Sequence, residues 1–385
     1  TNAIYGVDGS PVVKDIFFDD TPNDGSTNPR WRTVLLGALG AGGHGLYALD
    51  VTDPDNPTHL FAINHDGTQQ VVQHWDVDGN KNEFGYRSGN IDPQYDYRKL
   101  GETWSTPRII RIKVSGKDKW VAVFGGGYNG AVNPNYGSAV FIIDLEDQGR
   151  LLKVIDIEDQ ANVIHNYVFG TVSNNTQTEF NLANYGLTSY DISCCTLKVY
   201  GAGSIRYSIT GDQNGNTMNN LKLRFDEAPP GGITLMVSKV NKTDIVNSIP
   251  ADLSVITADG TNKANYNGAM IYATDLEGKV TKINLTDKGT LYEATTLFNS
   301  QSTSDNGRYI YTRPEVTINN DSNLWLYFGT GNTQKLQEQS NQVQNRLYGI
   351  KDVNFPNFVK INSAGTVSQC KTSPDCPGGS DLGWY

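Results

Sequence analysis

An all-β chain of repeated short-strand units, arranged like the blades of a β-propeller, is the fold class this sequence predicts. Three observations carry that expectation. A strand, a glycine-bearing turn and a second strand recur four times, and an X-Pro strand start stands upstream of most copies. Turn formers are abundant, with 40 glycines among 385 residues, and the only helical candidate is the polar stretch Thr333 to Val343.

Trp31 to Pro54 is the most explicit copy. Thr33 to Leu36 is a short apolar run, Gly37 to Gly45 supplies the turn, and Leu46 to Leu49 resumes the strand before Asp50. Glycine reaches positive φ without steric cost, so such a cluster reverses the chain tightly. Pro54 ends the unit because it cannot donate to a sheet. The same grammar recurs as Trp120 to Gly127 with Gly137 to Leu145, Ala269 to Asp275 with Gly278 to Leu285, and Leu324 to Gly331 with Arg346 to Asp352. Pro11, Pro107 and Pro314 open the upstream strands, at the first position, which a sheet tolerates.

Taken in order, residues 1–158 are expected to form propeller blades, with a first strand pair in Thr1 to Asp19 and a long surface loop from Asp66 to Lys99. Residues 159–258 read as a β-rich insertion between blades. Three runs with period-2 alternation (Ile205, Tyr207, Ile209; Leu221, Leu223, Phe225; Ile233, Leu235, Val237) predict a three-strand meander with one apolar face. Blades resume over 259–352, and 353–385 form a C-terminal tail with a small disulfide loop. The chain starts at Thr1 with neither Met nor signal peptide, as a processed product or a fragment would.

The formal charge is −10, without a basic stripe, which argues against nucleic-acid binding, since phosphate neutralisation drives that affinity. No apolar run approaches the ~20 residues that cross a bilayer. Four cysteines fall into two local pairs, Cys194-Cys195 and Cys370…Cys376, for which three connectivities exist. The second pair encloses Pro374 and Asp375 and favours a local disulfide, hence an oxidising compartment.

Candidate site residues follow from residue type and spacing. Asp76, Asp78 and Asn80, with Asn82 beyond, repeat the opening of a calcium loop, in which alternate oxygens face a hard cation. The alternative is a solvated Asx turn. Tyr86, Tyr95, Tyr97 and Tyr136 lie in loop-like stretches and are candidate contact residues of an interaction surface. The five histidines, His44, His59, His65, His74 and His165, lack zinc-ligand spacing with a cysteine. Neither Gly40 to Gly45 nor Gly125 to Gly130 precedes a helix that could cradle phosphate.

Several long motifs in one order resemble the C-terminal propeller of the PilY/PilC family of type IV pilus tip proteins: YGVDGSP, WRTVLLGALGAGGHGLYALDVTDP, GETWSTPRIIRI, FGGGYN, GSAVFIIDLEDQG, YATDLEGKVTKINL, YFGTGN and RLYGIKD. The resemblance implies a modified quinoprotein-type propeller, outside the cell at the pilus tip, that supports pilus extension against retraction, adhesion and twitching motility. It implies minor pilins and a host or surface receptor as partners, and blades upstream of Thr1. It also places a calcium loop before the strand at Ala269, where Asp259 and Asn267 stand at the ends and the middle does not match.

Two rivals remain. One is a quinoprotein (PQQ-dependent) dehydrogenase, whose vicinal-cysteine ring stacks over the cofactor; Cys194-Cys195 instead lies in the insertion, and ALDVTDPDNPTHLF lacks that family's blade-closing Gly and Trp. The other is a purely structural cap on minor pilins. No catalytic residue or organic cofactor site is expected.

Overall fold

The structure, a computed structural model, describes residues 6–18, 30–86, 91–128, 136–157, 166–182, 195–200, 205–214, 217–232, 234–241, 247–260, 262, 264–300, 302, 306–333, 345–361, 364, 367–368 and 382–385. Contacts divide the chain into one unit of 1–160 with 245–385 and a second of 161–244.

The first sheet is a six-strand meander, β1 (Val12–Phe18), β2 (Arg30–Ala38), β3 (Gly45–Asp50), β4 (Thr58–Asp66), β5 (Val71–Trp75) and β6 (Lys81–Gly85). Among the described residues, only one strand comes from the segment expected to hold a first pair. Much of the expected surface loop after Asp66 is instead the β5–β6 hairpin, paired onto β4 with Ala62 opposite Trp75. The second sheet runs β7 (Arg108–Val114), β8 (Lys117–Gly125), β9 (Ala139–Asp144) and β10 (Arg150–Asp156), all antiparallel.

The second unit holds β11 (Asn166–Val172), β12 (Glu179–Asn181), β13 (Cys195–Tyr200), β14 (Tyr207–Asn214), β15 (Thr217–Phe225) and β16 (Thr234–Asn241). The expected meander is divided between two sheets. β14 and β15 form the hairpin that the first two runs imply, but β16 pairs with β11 and β13, while β12 completes the other sheet. Alternation reports a face and not a neighbour, so the partner of the third run was not readable from its pattern. The unit has its own core of Phe180, Leu182, Leu221, Leu223, Phe225 and Leu235.

The third sheet is β17 (Ser254–Thr257), β18 (Gly268–Thr274), β19 (Lys279–Thr286) and β20 (Ala294–Asn299). Ser254–Thr257 therefore belongs with the blades, short of the expected boundary at 258, because it pairs in register with Ala269 to Tyr272. The fourth sheet combines β21 (Glu315–Ile318), β22 (Leu324–Gly329) and β23 (Leu347–Asp352) with tail strands β24 (Val367–Ser368) and β25 (Gly383–Trp384). The tail thus ends inside the sheet. At Gly349 a Cβ would stand 2.6 Å from the Trp384 ring, so only glycine admits that close approach. Residues 334–343 of the helical candidate lie outside the described residues.

The four sheets of the first unit pack face to face in chain order, as blades do. β9 shows how: Phe141 and Ile143 join a cluster with Val34, Leu36 and Phe61 of the first sheet, whereas Val140 and Ile142 join Ile271 and Ile283 of the third. The next cluster unites Tyr272 and Phe298 with Phe328 and Tyr348. Strands covered on both faces read as continuous apolar runs, which is why AVFIID and AMIYAT looked alike in the sequence. Among the described residues no helix is long and apolar enough to cross a membrane.

The same geometry recurs at or near the end of each blade's third strand. The Oδ1 atoms of Asp50, Asp144, Asn284 and Asp352 each accept the amide two residues onward, at Thr52, Glu146, Thr286 and Asn354, in Asx turns.

Candidate interaction face

The turns between second and third strands share one end of the stacked sheets, joined by a ladder of backbone hydrogen bonds. The Thr103 amide donates to Gly43, Glu102 and Tyr128 exchange amide bonds, Gly127 donates to Ile249, Leu276 to Ser248, and Gly331 to Tyr309. Gly127 adopts φ +84°, and a Cβ there would collide with the Glu102 carbonyl. The sequence needs glycine here because two chain segments cross within contact distance.

Two aromatic clusters rest on this ladder. In the first, His65 lies 5.0 Å from Tyr136, 5.8 Å from Tyr86 and 5.9 Å from His44, between ring centroids. The Leu100 carbonyl can only accept, so the His65 Nδ1–H donates to it at 2.7 Å and Nε2 accepts the Tyr86 hydroxyl at 2.7 Å. Burial pushes both imidazoles below their ordinary value, against the pull of Asp66, and so favours this neutral form. The Tyr86 hydroxyl, also hydrogen-bonded to Tyr136, is pushed up to about 12, chiefly by burial.

The second cluster gathers Trp104, Tyr128, Tyr309 and Tyr311 around Leu276. Trp104 Nε1 donates to Glu102 Oε2 at 3.0 Å, and its ring lies 4.6 Å from Tyr128. Tyr311 lies 6.3 Å from Tyr128 and 6.4 Å from Tyr309. Burial raises the Glu102 carboxyl and the Tyr128 and Tyr311 hydroxyls above their ordinary values. Trp104, Tyr309 and Tyr311 remain half-exposed, so flat faces and polar edges are both presented to solvent, the combination that suits recognition.

Of the four tyrosines expected on an interaction surface, Tyr86 and Tyr136 meet here, and Tyr95 and Tyr97 do not. Tyr97 is 0 % exposed, stacked on Phe141 with its hydroxyl donating to the Gly149 carbonyl, and Tyr95 is 7 % exposed between Phe84 and His74. The polar neighbours Asp96, Arg98 and Lys99 made this stretch look exposed; the second sheet covers it. Trp104, Tyr128, Tyr309 and Tyr311 were missed, although WSTP and the YIYT run carried the aromatic signal.

The expected calcium residues are also placed. Asp76 to Asn80 form the β5–β6 turn, where Asp76 Oδ1 accepts the amides of Asp78 and Asn80 and Oδ2 accepts the Asn80 side chain at 3.2 Å. Asn82 has moved onto β6, opposite His74. Asp76 and Asp78 are the carboxylates that would offer oxygens to a hard cation there. Asn267 is clamped by Asp287, at 2.9 and 2.8 Å, and not by Asp259. Among the described residues no three His, Cys, Asp or Glu side chains converge in a metal-ligating group. Cys194, Cys370 and Cys376 lie outside the described residues, and Cys195 is described by its backbone alone, as the first residue of β13.

Residues 1–178 match the family model described as the PilY1 beta-propeller domain. The type IV pilus biogenesis factor PilY1 of Pseudomonas aeruginosa is 34% identical over 149 residues, 39% of this chain and 9% of that protein. A PilY1 homolog of Xylella fastidiosa is 28% identical over 150 residues, 39% of this chain and 7% of the relative. The chain thus matches less than a tenth of the length of these curated relatives. In structure it is similar to the crystal structure of the Pseudomonas aeruginosa PilY1 C-terminal domain, with a TM-score of 0.43 and 20% identity, over 90% of this chain and 49% of that one.

Proposed function

We propose, from the match of residues 1–178 to the family model of the PilY1 beta-propeller domain, that this chain is a non-enzymatic module of a type IV pilus biogenesis factor. It acts outside the cell at the pilus tip, docks on minor pilins, supports extension against retraction, and contributes to adhesion and twitching. Its contact surface is the end of the blade stack that bears the two aromatic clusters. The observation that carries this reading is the half-exposed Trp104–Tyr309–Tyr311 group beside the Glu102 carboxylate, held on a rigid backbone ladder. Large aromatic side chains with polar edges dominate interface energetics, and a rigid scaffold lowers the cost of ordering them.

The experiment replaces Trp104 and Tyr311 together by alanine in the full-length protein, in a strain lacking its own copy. The expected result is normal secretion and an unchanged melting profile of the purified chain, with loss of surface attachment and of pull-down by minor pilins. Wild-type attachment, twitching and pilin capture in that variant would overturn the assignment of this face.

A further inference from the structure

The starts of β7, β17 and β21, edge strands of three successive sheets, with the residues just before β17 and β21, line a half-open cavity of about 280 Å³ on the first unit. Its lining is apolar at Ile110, Val255 and Val316, and carries Arg108 and Arg313. Arg108 is half-buried, and among the described residues its guanidinium makes no hydrogen bond or ion pair. Arg313 spends only its Nε, on Glu315 at 3.2 Å, and that acid is 73 % exposed, so the pair is a weak surface one. Lys14 of β1 adds a third cation next to the cavity, with Nζ donating to the Ile109 carbonyl at 3.1 Å. The nearby Asp252 carboxylate is taken by the Thr106 amide at 2.6 Å. Glu315 is thus the one carboxylate in the lining, in a chain whose formal charge is −10.

An unpaired guanidinium at the wall of a cavity is costly to desolvate and matches the two oxygens of a carboxylate in a planar fork. A second guanidinium in the same lining, beside the apolar Ile110, Val255 and Val316, suits a short carbon chain with polar groups at both ends. The volume sits at the low end of ligand pockets, which selects compact ligands. We propose that this cavity is a binding site for a compact carboxylate-bearing ligand, held by Arg108 and Arg313 with its carbon chain against Ile110, Val255 and Val316. Its lining shares no residue with the two aromatic clusters.

The test titrates the intact chain with succinate, with the dipeptide Asp-Asp, and with the uncharged succinamide, by calorimetry and by chemical-shift perturbation. Saturable succinate binding that weakens with salt, is absent for succinamide, and falls about tenfold or more in Arg108→Gln and in Arg313→Gln is the expected result. Binding of the dipeptide but not of succinate also supports the site, and assigns its carboxylate to a polypeptide. Melting profiles of both variants, with a control Lys153→Gln at an exposed β10 residue outside the lining, separate lost binding from lost fold. Three results overturn the proposal: saturable binding by neither carboxylate, equal binding of succinamide, or wild-type affinity in well-folded Arg108→Gln.

Discussion

Lys282 and Asp352 form an ion pair at 2.5 Å with each side chain 1 % exposed, and they come from different sheets, β19 and β23. The Tyr272 hydroxyl donates to the same carboxylate oxygen at 2.6 Å, and Lys282 also donates to the Asn357 carbonyl. The repeat explains why the cation arrives from next door. In the first two sheets the aspartate that ends the third strand takes its cation from the neighbouring strand: Arg32 for Asp50, and Lys119 for Asp144. Each cation stands two residues before the aspartate's register partner, Val34 or Val121. The matching position in the fourth sheet is Ser322, since Asp352 pairs with Leu324, so Lys282 of the third sheet supplies the charge.

Replacing Lys282 with Met should therefore cost about 3–5 kcal/mol, because Asp352 is left buried and charged without its partner. The double variant Lys282→Met/Asp352→Asn should recover more than half of that loss. Urea unfolding of the three proteins measures both; equal losses in single and double variants would refute the coupling.

Asn284 occupies the same place in the third sheet, where the cation position is Gly268, and it is neutral. Its Nδ2 donates to the carbonyls of Lys288 and Thr290 at 2.8 and 3.0 Å. Asn284→Asp would set a buried carboxylate against two carbonyls, at a cost of about 3 kcal/mol at neutral pH. The folded-state pKa of the new acid would be raised, so the deficit should shrink as pH falls toward the ordinary carboxylate value. Thermal melts across that range check the sign.

Burial lowers the pKa values of His44, His65 and His74 below the ordinary 6.5. The opposing carboxylates are Asp66 at His44 and His65, Asp96 at His65, and Asp76 at His74. Between those depressed values and 6.5 the unfolded chain binds more protons than the folded one. Stability is thus complete above 6.5 and is lost as pH falls through the folded values. Denaturant midpoints at about pH 7.5 and about pH 5 should differ, and His65→Gln should reduce the difference.

Gly127→Ala should destabilise the first unit by about 2 kcal/mol or more, since the new Cβ meets the Glu102 carbonyl at a φ that L-residues avoid. Near-ultraviolet circular dichroism should change as the Trp104–Tyr128 contact shifts. An unchanged spectrum and melting point would show that the ladder does not hold those rings.

The paired strands of each blade were legible because their punctuation is local: a Gly turn such as Gly37 to Gly45, an X-Pro start, and an Asx-forming Asp. The β5–β6 hairpin was not, because its turn, Asp76 to Asn80, is built from the residue types that also build cation loops. Tyr97 was misplaced for a different reason. Its burial is a property of Phe141 and Gly149 in the next sheet, and no window around Asp96 to Lys99 contains that information. The aromatic face has the same origin. Tyr128 and Tyr311 touch only because successive blades bring their turns to one end, so the residue types were visible and their convergence was not.

β9 has a mechanical corollary. Successive residues of one strand, Phe141 and Ile142, are locked into opposite neighbours, so the second sheet cannot slide out without opening two apolar seams at once. A tensile load entering at one end of such a stack is shared as shear over whole sheet faces, rather than peeling a single row of hydrogen bonds, and resistance to pulling grows with the number of seams engaged.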